Sequence, residues 1–340
     1  MPHSKNTHQQ SLVPHPSRRA VAGAIAGVLA SPWLTGPARA QNFQPSRPVR
    51  IIVPYVPGGV PDIAARQIAK ELTVLWKQSV IVENRPGASG AIGASEVARS
   101  PGDGLTFLVA DDGALISAPL LKAKPTYDPQ KDLVPIGSVC ASPYVIYGAP
   151  NSPSLQQLFA KAKAKPESVD YATNGVGGPH HQVWERWQEQ LGIKLLQVPY
   201  NGTLPALQDV AAGRVAMMVA TPSSALALVQ AGKIVPLASV SKTRFSFLPN
   251  VPSTAELGFP AMEGVAWYGF MAPGTMPAEL REKVGVDLRA VLKSDSFKTT
   301  ILEQRFNLPL VLTGKEAADR MSHEREQARV LFKRAGVEPV

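Results

Sequence analysis

One cysteine, Cys140, stands in the whole chain, so no internal disulfide is available and the core must hold the fold. Aromatic residues make up only 6% and never interleave with a block of Lys and Arg, which removes the pattern of a nucleic-acid binder. Catalytic signatures are missing as well. There is no Gly-x-Ser-x-Gly elbow, His-Glu-x-x-His pair or Gly-x-x-x-x-Gly-Lys-Ser/Thr loop, so the expectation is a protein that is not an enzyme and has no catalytic residues. Beyond the N-terminus the histidines are His180, His181 and His323. The first two are neighbours that diverge by about a third of a helical turn, a poor pair for one metal. No metal and no cofactor are expected. Gly175-x-Gly-Gly is only a fragment of a dinucleotide loop.

Long apolar runs are also lacking. The nearest, residues 20–34, is too short, and too rich in Gly and Pro at its end, for a span of ~20 residues. With Ser17-Arg18-Arg19 before it and Ala38-Arg39-Ala40 after it, it reads as an export signal cut near Ala40. The paired arginines fit twin-arginine export and equally an ordinary Sec signal. No cysteine lies near the cut for a lipid anchor, so a periplasmic protein is expected. Cleavage removes Lys5, Arg18, Arg19 and Arg39 and no acid, so the formal charge falls from +9 by those four to +5. That mild excess favours anionic ligands.

What the chain does contain is organised around Arg50-Ile51-Ile52-Val53-Pro54-Tyr55-Val56-Pro57-Gly58-Gly59-Val60-Pro61-Asp62. The β-branched run suits a buried strand, Pro57, Gly58 and Gly59 stop it, and Pro61 suits the first turn of a helix. Such a first turn has unpaired N–H groups and partial positive charge, so Tyr55, Pro57, Gly58, Gly59 and Asp62 are candidates for holding an anion. The same residues also make an ordinary tight βα turn.

Further strands alternate with helices, which implies a mainly parallel sheet in an α/β fold whose ligands sit beyond the strand ends. The loops at those ends supply Ser89, Asp111, Asp112, Thr173, Asn174, His180, Tyr200, Thr203, Thr221 and Ser223. Any one hydroxyl or amide among them could be no more than a helix cap. As a set they fit a carboxylate held by several N–H and O–H donors. Val198-Pro199-Tyr200 echoes Val53-Pro54-Tyr55, a hint that two similar lobes present similar turns across a cleft.

At these residues the chain resembles the Bug family, the extracytoplasmic solute receptors of tripartite tricarboxylate transporters. The resemblance rests on Ile52-Val53-Pro54-Tyr55-Val56-Pro57-Gly58-Gly59 with Asp62, and on Val82-Glu83-Asn84-Arg85-Pro86-Gly87-Ala88-Ser89-Gly90. Tyr127-Asp128-Pro129, Val198-Pro199-Tyr200, Leu248-Pro249-Asn250-Val251-Pro252-Ser253 and Trp267-Tyr268-Gly269 follow in order. It implies a two-lobed periplasmic binding protein, a Venus flytrap, with a small organic carboxylate enclosed between lobes and one carboxylate received at the Pro-Gly-Gly turn. The lobes are expected at 41–142 with 261–340, and at 143–260. The implied partners are membrane permease subunits of a tripartite tricarboxylate transporter, and the receptor is expected to act as a monomer. A ligand-sensing subunit for a membrane sensor kinase is the alternative. Asp111-Asp112 departs from the family pattern, and a carboxylate facing the cleft there favours an amide- or amino-bearing acid.

Overall fold

The computed structural model describes residues 43–200, 202–334, 336, 337 and 339. The export segment and its cut near Ala40 lie outside the described residues. Among the described residues no helix is long and apolar enough to cross a membrane.

Among the described residues ten strands form two sheets of five. The first holds β1 (Val49–Val53), β2 (Val80–Asn84), β3 (Thr106–Asp111), β4 (Leu133–Pro143) and β10 (Val265–Pro273), in the order β2-β1-β3-β10-β4. The second holds β5 (Val145–Gly148), β6 (Asp170–Thr173), β7 (Leu196–Pro199), β8 (Met217–Ala220) and β9 (Val235–Ser239), in the order β7-β6-β8-β5-β9. Each is parallel apart from one strand, β10 in the first and β5 in the second, which runs against both its neighbours. The two sheets therefore share one plan, in which β1 corresponds to β6 and β2 to β7. The Val-Pro-Tyr echo joins β1 to β7, which are not equivalent. It marks no repeat.

Helices cover both faces of each sheet. α1 (Val60–Trp76), α2 (Ala91–Ala98) and the short α3 (Ala118–Leu120) follow the first three strands. α4 (Leu155–Ala164), α5 (Pro179–Leu191), α6 (Thr203–Ala211) and α7 (Pro222–Gln230) serve the second sheet, and α8 (Ala278–Leu292), α9 (Asp295–Phe297) and α10 (Gly314–Arg334) return to the first. Apolar spacing along α1 buries Ala64, Ile68, Leu72 and Trp76 against Phe107 and Phe270, and each such large side chain contributes roughly 1.5–3 kcal/mol. The polar edge of Trp76 is answered by Asp287, whose carboxylate accepts the indole N–H at 2.7 Å. Trp184, Trp187 and Tyr171 centre the second core.

Two strand connections join the lobes, from β4 to β5 and from β9 to β10. Close to the first of them, Leu308 exchanges backbone hydrogen bonds with Ala141 at 2.7 and 3.0 Å. The strand ends, and the loops that follow them, face one another between the sheets.

Candidate functional site

β1 ends at Val53 and the chain turns through Gly58, whose φ of +97° is left-handed. A Cβ there would meet nothing within 4 Å, so the backbone angle rather than crowding favours glycine. The Gly58 N–H donates to Asp62 Oδ2 at 3.0 Å, while Asp62 Oδ1 accepts from Asn84 Nδ2 and Arg66 Nη2, both at 2.9 Å. Burial alone would raise the Asp62 carboxyl, but the bonds from Arg66, Gly58 and Asn84 outweigh it and hold the group below its ordinary value. Asp62 is a buried strut beneath the turn. Pro57, Gly58 and Gly59 stay exposed above it.

Facing that turn is the start of α7. Gly58, Gly59 and Val60 lie across a cavity of about 60 Å³ from Ser223 and Ser224, with Ile63, Ile301, Arg305 and Asn307 closing its sides. That is room for a group of carboxylate size. Thr221 is the N-cap residue of α7, yet its side chain bonds no helix amide. Its hydroxyl instead lies 3.3 Å from Ser223 Oγ and 2.9 Å from Ser224 Oγ. Two helix starts thus converge on one cavity with hydroxyls at its wall. No carboxylate lines it, and the one charged residue there is Arg305. Both features favour an anion.

The other candidates surround this centre in separate settings. Ser89 is exposed in a loop where Gly87, Ala88, Ser89 and Gly90 all have positive φ, of 130°, 48°, 53° and 92°. Left-handed alanine and serine in succession store strain in the turn between β2 and α2. Tyr55 donates its hydroxyl to Asp111 Oδ1, which also accepts from the Ala114 N–H at 3.2 Å. Burial raises the Asp111 carboxyl against those bonds. Asp112 points elsewhere, into a groove of about 430 Å³ between α5 and α10, beside Pro179, Val183, Arg186 and Glu324. Its Oδ1 is buried without a partner, and burial first, then the Asp111 charge, push the carboxyl well above its ordinary value.

In the second lobe Thr173 is buried and its hydroxyl accepts from Gln197 Nε2 at 2.9 Å. Asn174 Oδ1 and His180 Nδ1 are buried without partners. His180 packs edge-on against Tyr144, and burial lowers it to about 4, so the imidazole is neutral. Tyr200 donates its hydroxyl to Asp209 at 2.7 Å, within its own lobe. Thr203 is half-buried at the start of α6. Of the expected residues, then, the cavity itself gathers Gly58, Gly59 and Ser223.

Ser224, Arg305 and Asn307 were not among the sequence candidates. Ser224 adjoins one and had a signal. Arg305 and Asn307 lie far along the chain, in Glu303-Gln304-Arg305-Phe306-Asn307, which has neither the glycines nor the proline that marked the first junction. Only the fold brings them to Gly58. Among the described residues no cluster of His, Cys, Asp and Glu is placed to hold a metal ion.

Residues 64–327 match the model of the tripartite tricarboxylate transporter family receptor. The chain is 36% identical to Protein BugT of Bordetella pertussis over 259 residues, 75% of this chain and 79% of that one. The solved structure of R. palustris Rpa4515 with adipate is similar at a TM-score of 0.77 and 30% identity, covering 87% of this chain and 99% of that chain. MatC of Rhodopseudomonas palustris with bound malate is similar at 0.71 and 25%, covering 84% and 99%.

Proposed function

We propose, for a chain that belongs to the tripartite tricarboxylate transporter receptor family, that it captures a small organic carboxylate between its lobes and delivers it to a membrane permease. The family is one of receptors and not of enzymes. The observation that carries the ligand class is the cavity between Gly58-Gly59 and Ser223-Ser224, where two helix starts converge and no acidic residue intrudes. Asp111 and Asp112 do not line that cavity, so their charge does not argue against a carboxylate there. Adipate and malate, held by the similar R. palustris proteins, give the scale of ligand to be tried. We read the lobes as 41–142 with 261–340 and as 143–260, the protein as a monomer, and its site of action as the periplasm. Contacts to both lobes exist together only in the closed form, so binding draws the lobes together.

Thermal unfolding of the exported protein with mono-, di- and tricarboxylates tests this reading. A ligand at ~100 times its dissociation constant adds ~2.7 kcal/mol and raises the midpoint. Gly58→Val, checked first for an unchanged midpoint without ligand to within a few degrees, abolishes the rise. Absence of a shift from every carboxylate, in protein shown to carry no retained ligand, refutes it.

A further inference from the structure

Arg305 lines the Gly58–Ser223 cavity and, among the described residues, makes no ion pair. The residues that follow Arg305 in the chain hold it there. Asn307 is buried, accepts the Ser142 hydroxyl, and donates its Nδ2 to the Ile301 carbonyl at 2.9 Å. Leu308 pairs with Ala141 of β4. Phe306, between Arg305 and Asn307, has a φ of +58°, a left-handed angle that is unfavourable for a bulky side chain. Its ring lies 5.0 Å from Phe247, which stacks on Phe245 at 5.2 Å and 10°. Both of those rings belong to the segment after β9, in the other lobe. Arg305 is therefore carried on a strap anchored to β4 and docked by one aromatic contact across the cleft.

We propose that Arg305 is the specificity-determining residue of this cleft, pairing with the ionised carboxylate that enters the Gly58–Ser223 cavity and so making the closed receptor choose an acid over its neutral amide. This deepens the carboxylate reading and rests on it. Helix starts and hydroxyls alone also accommodate an amide oxygen, since they offer N–H and O–H donors and only partial charge. A guanidinium discriminates, because its five donors and full charge match a carboxylate and not an amide. Phe306 acts at one remove: its contact with Phe247 sets how firmly the strap sits on the second lobe, whatever the ligand's charge.

Calorimetric titration of the full-length exported protein with adipate, malate and the neutral isostere adipamide separates these roles. Arg305→Gln weakens adipate and malate by about 10- to 100-fold, flattens the salt dependence of binding, and collapses the preference for adipate over adipamide. Arg305→Lys keeps most of that preference. Phe306→Ala weakens adipate and adipamide alike and keeps their ratio. Arg305 is exposed, so unfolding midpoints without ligand stay unchanged in its variants. If wild-type protein binds adipate and Arg305→Gln leaves the ratio intact, Arg305 is a solvated surface charge and the proposal fails while the carboxylate reading stands. If wild-type protein, shown to carry no retained ligand, binds none of the mono-, di- and tricarboxylates of the thermal series, both readings fall.

Discussion

Gly58 and Gly177 occupy equivalent places in the two lobes, just after β1 and β6. The residues that follow them, Gly59 and Gly178, cap their helices with nearly the same angles, φ −75° and ψ 169° against φ −67° and ψ 170°, and Pro61 and Pro179 sit in the first turns. Each glycine donates its N–H to the side chain four residues on, Gly58 to Asp62 at 3.0 Å and Gly177 to His181 Nδ1 at 2.8 Å. Each of those side chains faces a charge four residues further, Arg66 at 2.9 Å and Glu185 at 3.5 Å. Spacing and backbone agree, and the charges are reversed. What separates the two turns is what lies outside them. Nothing approaches the missing Cβ of Gly58, whereas at Gly177 that position is taken by Leu121 of the other lobe, 2.4 Å away. The same helix start is thus an open turn beside a cavity in one lobe and a contact between lobes in the other. Local sequence sets the capacity of such a turn. Its neighbours decide the use.

The largest effect that tests this contrast is expected at Gly177. Gly177→Ala drives a methyl into Leu121 and costs about 1–3 kcal/mol in denaturant unfolding. Adding Leu121→Ala to that variant removes the clash, so the double variant is less destabilised than the sum of the two single changes. Gly58→Ala meets no atoms and costs only its left-handed angle, ~1 kcal/mol. Equal costs at the two glycines would erase the difference between an open turn and a filled one.

A smaller effect distinguishes the caps. Asp62 is held below its ordinary carboxylate value, so its contribution is present at neutral pH and is lost as the pH falls through that lowered value. Asp62→Asn weakens the bonds from Gly58 and Arg66, and costs ~1 kcal/mol at pH 7. The gap between wild type and variant closes on acidification, as a series of thermal midpoints will show. A gap independent of pH would mean that the strut works by shape and not by charge.

The first junction was legible because all of its parts are local. Strand, glycines, proline and Asp62 follow one another within a dozen or so residues, and their chemistry is that of any helix start. The strand–helix alternation was equally plain. Arg305 was not, since its meaning depends on a return of the chain from beyond residue 300 to the turn at Gly58. Tyr55 and Asp111 were both candidates, yet their bond to each other arises from sheet order and not from sequence. Asp111 and Asp112 read alike as neighbours. Only the end of β3 reveals that one turns under the first junction and the other into the groove by α5.

Asp112 gives the most informative test. It lies beside Pro179, so the second helix start has one of the protein's own carboxyls as its neighbour, where the first has room for a ligand's. Its folded value is raised, by burial first and Asp111 second, with Glu324 adding and Arg320 opposing. A raised carboxyl keeps its proton in the folded state after the unfolded chain has released it above 3.8, so stability falls as the pH rises from there. Asp112→Asn removes that loss. The variant matches wild type near pH 3 and is the more stable of the two at pH 7. His180 runs the other way: its imidazole is lowered from 6.5 to about 4, so its burial costs stability as the pH falls across that interval. The two slopes oppose each other in wild type, and Asp112→Asn exposes the His180 slope as a steeper fall on acidification. A loss of stability at pH 7 in the variant would show instead that the α5 start stabilises the Asp112 anion. The second junction would then hold an anion of the protein's own, as the first is proposed to hold a ligand's.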